Sequence, residues 1–328
     1  MPIDGKTVKQ ILGVAVLLGL IALLAIFVIS VFRVFLLIFA ATLIAVFLHG
    51  CAAWLSRHIR IPVALAVALV ILGIFVLIGG ASWILAPQVT QQFQQLQISI
   101  PQEIAKLEQQ VGGRGSALFG RFAQDLIGNV TGVTKAEHWV IDILVVAFLS
   151  VYLAFQPSMY RRGLLALIPV EGRGTTQATM DRLRDVLWRW FIGRLVGMIV
   201  IGLLVFIAMS AIGIPLPFML GLMAGILEFV PYLGAFVSAI PAVLFALVQG
   251  QGLIVIAMYL LLHGIDGYIV IPLVERRAVS IAPGLTVVAQ VTMYISAGIL
   301  GIFVADPLTA AIMIVLQIFY IREPVKEE

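Results

Sequence analysis

The chain has 328 residues, 62% of them hydrophobic and 11% charged, with a mean hydropathy of +1.16 and a net charge of +4. Soluble domains carry about 45–50% apolar and about 25% charged residues, so this composition excludes a soluble protein and predicts an all-α, polytopic membrane protein. The single cysteine, Cys51, excludes an intrachain disulfide, and the histidines at 49, 58, 138 and 263 are too scattered for a ligand cluster, so neither metal nor cofactor is expected.

Lys6 and Lys9 precede an apolar run from Ile11 to Val31, too long for a signal-peptide core, which reads as a retained first helix. A span needs about 20 apolar residues. Ile11–Ser30 and Val34–Gly50 qualify, parted only by Arg33, whose side chain can snorkel to an interface. Arg57 and Arg60 follow, then a third span, Ile61–Pro87; residues 1–87 thus form transmembrane helices 1 to 3.

Residues 88–138 differ in kind. Gln88 to Gln110 is rich in glutamine, yet Val89, Phe93, Leu96 and Ile100 recur at helical spacing, as do Ile104, Leu107 and Val111. Gly112-Gly113-Arg114-Gly115 interrupts the pattern, and Leu118, Phe119, Phe122, Leu126, Ile127 and Val130 resume it. Bases and acids balance here, which predicts an external lobe of amphipathic helices packed on its neighbours. The fourth span is 139–156, with Asp142 in its first turn, where a carboxylate suits the helix dipole.

Seven arginines lie between Arg161 and Arg194, against three acids. Basic residues between apolar spans read as a cytoplasmic loop and not as a nucleic-acid surface. That loop is 157–190, with Met180–Trp190 as an amphipathic interfacial helix. Phe191–Ile212 is the fifth span and opens the C-terminal core, 191–322; its Gly193-x-x-x-Gly197 permits close helix packing.

The stretch 213–248 is apolar but heavily punctuated. It holds Pro215, Pro217, Pro231 and Pro241, the glycines Gly221, Gly225 and Gly234, and one carboxylate, Glu228. Broken helix at membrane depth is tolerated where it is buried in protein or lines a cavity, and an acid beside the break points to a pathway. Read as a hairpin that enters and leaves by one side, 213–248 places Arg276 and Arg277 inside, as the positive-inside rule favours; both termini are then cytoplasmic. The stretch 283–321 is too long for one span and suits a second hairpin, broken at Asp306-Pro307. The count comes to about eight spans with two broken regions.

Glu228, Asp266 and Asp306 lie in apolar surroundings, where a carboxylate is kept when it faces a cavity, pairs or titrates. His263 stands three residues before Asp266, on the same helix face, as a relay or a polar contact. Glu228 can equally cap free amides beside Pro231, and Asp306 can be a helix-start residue. Metalloprotease, nucleophile-elbow and complete phosphate-loop motifs are missing, so an enzyme is not expected.

Several strings resemble a known family. They are Gly213-Ile214-Pro215, Leu220-Gly221, Ala224-Gly225, Phe229-Val230-Pro231-Tyr232-Leu233-Gly234 and Ile240-Pro241-Ala242, then Asp266-Gly267, Pro272, Pro283, Gly298-Ile299-Leu300-Gly301 and Ala305-Asp306-Pro307-Leu308. Together they resemble the signature of the autoinducer-2 exporter family of bacterial permeases. The resemblance implies a multi-spanning protein of the bacterial inner membrane that exports a small solute, with the sugar-like autoinducer-2 as the named substrate and sodium–proton antiport among some relatives. It also implies a homo-oligomer, a pentamer by similarity. The chain departs from the pattern at Arg194, where glutamine is common, near Tyr268, where asparagine is, and at Asp306, where a hydrophobic residue is.

From this reading the expected partners are membrane lipid, a small solute and protons or sodium ions. Glu228, Asp266, Asp306 and His263 form the expected pathway. Pro215, Gly221, Gly225, Pro231, Gly234, Pro241, Pro272, Gly298, Gly301 and Pro307 are the expected hinges.

Overall fold

The computed structural model describes residues 5–111, 136–267 and 282–321, and its regular structure is helical throughout. The helices are α1 (Gly5–Ile59), α2 (Val63–Val111), α3 (Ala136–Phe155), α4 (Pro157–Ala166), α5 (Arg173–Ile212), α6 (Pro217–Leu227), α7 (Leu233–Val248), α8 (Gly252–Ile265) and α9 (Pro283–Leu316). By length and apolar composition four of them can cross a membrane, α1, α2, α5 and α9. A fifth span arises if α3 and α4, bent by 88° across Gln156, count as one broken crossing.

The N-terminal half corrects two expected boundaries. Ile11–Ser30 and Val34–Gly50 are not two spans: α1 runs unbroken through Arg33 for 55 residues, about 82 Å at 1.5 Å per residue. From Leu20 to His49 there is neither glycine nor proline to stop it, and Arg33 is held by Asp142 of α3 at 2.7 Å. Likewise α2 does not end at Pro87; it continues through Pro87 and Pro101 to Val111. The glutamine-rich stretch is therefore the second half of a membrane helix. Its apolar stripe is buried as its spacing predicts, with Leu96 and Ile100 packed into the main core beside Met219, Leu244 and Phe245. Gln92 Oε1 accepts the backbone N–H of Met219 at 3.1 Å, which fixes this half of α2 to the start of α6. The second lobe helix expected over 118–130, the arginines at 276 and 277 and the C-terminal tail from residue 322 lie outside the described residues.

α1 and α3 run parallel. Arg33 meets Asp142, Leu36 and Ala40 cluster with Val146, and His49 Nδ1 lies 3.1 Å from the carbonyl of Ala154. α5 is one helix of 40 residues, so the expected interfacial helix at 180–190 is continuous with the fifth span. It packs on α6 through glycine. A Cβ at Gly221 would lie 2.7 Å from the Gly202 carbonyl, and one at Gly225 would lie 2.8 Å from the Met198 carbonyl. The backbones touch because those side chains are missing, the small-residue contact used between membrane helices.

Candidate functional site

Two hairpins bring the polar residues together. In the first, α6 and α7 are joined by a turn over residues 228–232 whose Tyr232 takes a positive φ of 60°. Gly234, just after the turn, meets the Leu227 carbonyl so closely that no side chain fits. Glu228 closes α6 and is 3% exposed. The amides of Phe229, Val230, Leu233 and Gly234 all find backbone acceptors, so its carboxyl is not a cap. It turns instead towards α8, where His263 Nδ1 lies 3.4 Å from Glu228 Oε2 and where Asp266, 4% exposed, ends the helix. The Glu228 and Asp266 carboxyls are close enough to interact, two buried acids beside one imidazole.

The second hairpin lies within α9. The expected break at Asp306-Pro307 is not there; Pro307 sits inside a continuing, buried helix. The chain folds at Gly298, whose φ of 63° and ψ of −143° suit only a residue without a Cβ. The arms return against each other: a Cβ at Gly301 would strike the Met293 carbonyl, and Gln290 Nε2 donates to Asp306 Oδ1 at 3.2 Å. Gln290 is fully buried and Asp306 is 6% exposed.

Arg194, at mid-length in α5, stands between the hairpins. It is 8% exposed, its guanidinium lies 5.8 Å from the centroid of the Trp190 ring, and it is within electrostatic reach of Glu228, Asp266 and Asp306. The Asp266 carboxyl lies beside α5 at Gly197, where a Cβ would stand 3.5 Å from Asp266 Oδ1, an ordinary contact. Five side-chain atoms of this cluster are buried without a hydrogen-bond partner, Arg194 Nε, Glu228 Oε2, His263 Nε2, Asp266 Oδ1 and Gln290 Oε1. Buried polar atoms are normally satisfied, so the cluster has one donor and at least three acceptors unused.

The structure thus gathers Glu228, Asp266, His263 and Asp306, the four expected pathway residues, and adds Gln290 and Arg194. Gln290 is the one polar side chain between Val287 and Val291, the available sequence signal; Arg194 was counted with the basic loop. Of the expected hinges, Gly298 is a bend. Gly221 and Gly225 are packing contacts, Pro231 and Gly234 shape the first turn, and Pro241 and Pro307 lie inside helices. Pro215 is exposed in the α5–α6 link, Gly301 seals the second hairpin, and Pro272 falls outside the described residues. Among the described residues no group of three His, Cys, Asp or Glu is arranged to hold a metal ion.

Beside the cluster lies an apolar cavity of about 1170 Å³, walled by α1, α2, α3 and the Gly298 bend. Phe229 and Phe303, with ring centroids 5.0 Å apart, line its inner side, and Phe229 also packs edge-on against Trp190.

The sequence pattern of AI-2E family transporters matches residues 16–321. The chain belongs to the AI-2E transporter family. It is therefore a multi-pass membrane protein of a permease family. It is 26% identical over 203 residues to the "Putative transport protein YrrI" of Bacillus subtilis, covering 61% of this chain and 57% of that protein. Sll0060 of Synechocystis, named in the same way, is 22% identical over 88% of this chain and 89% of its own. The "AI-2 transport protein TqsA" of Escherichia coli is 26% identical over 45% of this chain and 43% of its own. This AI-2E chain spans little more than half the length of YrrI.

Proposed function

We propose that the chain is a secondary transporter that exports a small hydrophilic solute, of the autoinducer-2 class or a related metabolite, across a bacterial inner membrane by alternating access. The observation that carries this reading is the convergence of Arg194, Glu228, Asp266, Gln290 and Asp306 from four parts of the fold, all buried and four of them with unused polar atoms. A hydroxyl-rich solute fills such a set. Glu228 and Asp266 bind the solute or a coupling proton, with Asp306 and His263 beside them. The substrate class rests on the resemblance and on the name of TqsA.

α6 and α7, at about 16 and 24 Å, are each shorter than the roughly 30 Å of a bilayer core. That supports 213–248 as a re-entrant hairpin entering and leaving by the face to which Gln92 ties it, with 283–321 as its counterpart. In this reading the two hairpins move against the long helices, the arginine-rich end is cytoplasmic, and the chain works as a homo-oligomer.

A second reading, cation–proton antiport, is favoured by the three carboxyls that face one guanidinium. Reconstitution in proteoliposomes separates the two. Glu228→Gln and Asp266→Asn are expected to lower solute export at least about tenfold while the protein still folds. Sodium-driven proton movement with no organic solute carried selects the antiporter. A chain that moves neither solute nor ions, with Glu228→Gln and Asp266→Asn leaving the cellular phenotype intact, is a non-transporting scaffold.

A further inference from the structure

We infer that the end of the molecule built by the C-terminal turn of α1, by α4 and by the start of α5 is a binding platform for anionic phospholipid headgroups. The argument starts from which side chains share that end. α1 and α3 run parallel, and His49 lies 3.1 Å from the Ala154 carbonyl while Gly50 packs against Trp188 of α5. Beyond that level α1 continues to Arg57 and ends at Ile59, with Arg60 just past it, and α3 gives way to α4.

α4 turns 88° from α3. A helix perpendicular to a membrane-crossing one lies in the plane of the membrane. None of its residues is buried, and Met159, Leu164 and Leu167 of this segment are 59%, 53% and 80% exposed. In water that exposure is unfavourable; at the boundary between headgroups and acyl chains it is the apolar face of an interfacial helix. Trp54, 61% exposed on the last turns of α1, has the residue type and the position of an interface anchor.

Charge decides which lipid. Two arginines here are already neutralised inside the protein: Arg161 holds Asp181 through both terminal nitrogens at 2.8 and 2.7 Å, and Arg184 holds Asp185 at 2.9 Å. Arg57, Arg60, Arg162, Arg173 and Arg182 are exposed and have no acid partner among the described residues. Arg162 and Arg173 use only Nε, on the carbonyls of Ser158 and Ile168, and their terminal nitrogens make no hydrogen bond among the described residues. Against these five stands one exposed, unpaired acid, Glu171. A guanidinium fork matches the two oxygens of a phosphodiester. Five such arginines at one end of the molecule, beside an exposed amphipathic helix, match an anionic leaflet.

The test uses the full chain in vesicles of phosphatidylcholine mixed with phosphatidylglycerol, one or the other brominated on its acyl chains, and reads tryptophan quenching. Phosphatidylglycerol is expected to win. In Arg162→Gln/Arg173→Gln/Arg182→Gln its preference should fall by about fivefold per arginine removed. The triple lysine variant should keep most of the preference, which separates loss of charge from loss of fold, and Arg161→Gln, whose charge is already spent on Asp181, should change it least. Equal quenching by the two lipids in the unaltered chain overturns the proposal. So does a triple glutamine variant that keeps full preference. If that variant instead alters the oligomeric state while its lipid preference stays, the surface belongs to a second copy and the lipid platform is wrong.

Discussion

Gln290 and Asp306 stand 16 residues apart in sequence and 3.2 Å apart in space, on two helical arms of α9 that fold back on each other at Gly298. A straight helix would hold them about 24 Å apart. The bond closes the hairpin at the level where Arg194 reaches Asp306, so it joins the fold of α9 to the charge of the cluster. Gln290→Leu leaves the carboxyl without its amide and should destabilise the protein by about 1–3 kcal/mol. Gln290→Leu/Asp306→Leu, which removes both partners, should recover much of that loss. Denaturation of the purified chain in detergent measures both.

The place of the bend is separable from the place of the proline. Gly298→Ala forces a side chain into a conformation open only to glycine and should cost about 1–3 kcal/mol, read as a lowered melting temperature. Pro307→Ala lies inside a helix that already continues past it and should be neutral or stabilising. The opposite ranking would return the break to Asp306-Pro307.

Backbone contact between α5 and α6 makes a graded prediction. Gly225→Leu and Gly221→Val drive side chains into the Met198 and Gly202 carbonyls and should separate the helices, with losses of about 1–3 kcal/mol or more. Gly197→Ala meets Asp266 Oδ1 only at 3.5 Å, an ordinary contact, and should fold normally. If Gly197→Ala lowers transport while stability holds, the room beside Asp266 serves the solute.

Orientation can be read at Glu171, which is exposed just before α5. In a Cys51→Ser background, Glu171→Cys should react with an impermeant maleimide in inside-out vesicles and stay unlabelled in intact cells. Labelling from outside would place the arginine-rich end on the other face.

The membrane class, the amphipathic stripe of Leu96 and Ile100 and the hairpin around Glu228 were legible in the sequence because each rests on composition or periodicity. The acids were legible too, since a carboxylate in an apolar run stands out. What escaped was of two kinds. Prolines at 87 and 307 read as stops, yet α2 and α9 pass through them. Conversely Gly298 stands among ten expected hinges with nothing to single it out, because a positive φ has no sequence mark. Gln290 and Arg194 were missed for a third reason: their meaning lies in the partners they meet across helices, and one sequence without its fold does not pair them.

α5 contains no proline over its 40 residues and is unbroken between Arg173 and Ile212. At about 60 Å it reaches from the arginine-rich end, past Arg194, to the glycine contact with α6. A rod without a joint transmits tilt. A few degrees at the Arg173 end become several ångströms at the far end, with Arg194 displaced by an intermediate amount. The chain therefore carries, in one covalent piece, a lever whose handle is at the membrane surface and whose load is the hairpin that bears Glu228.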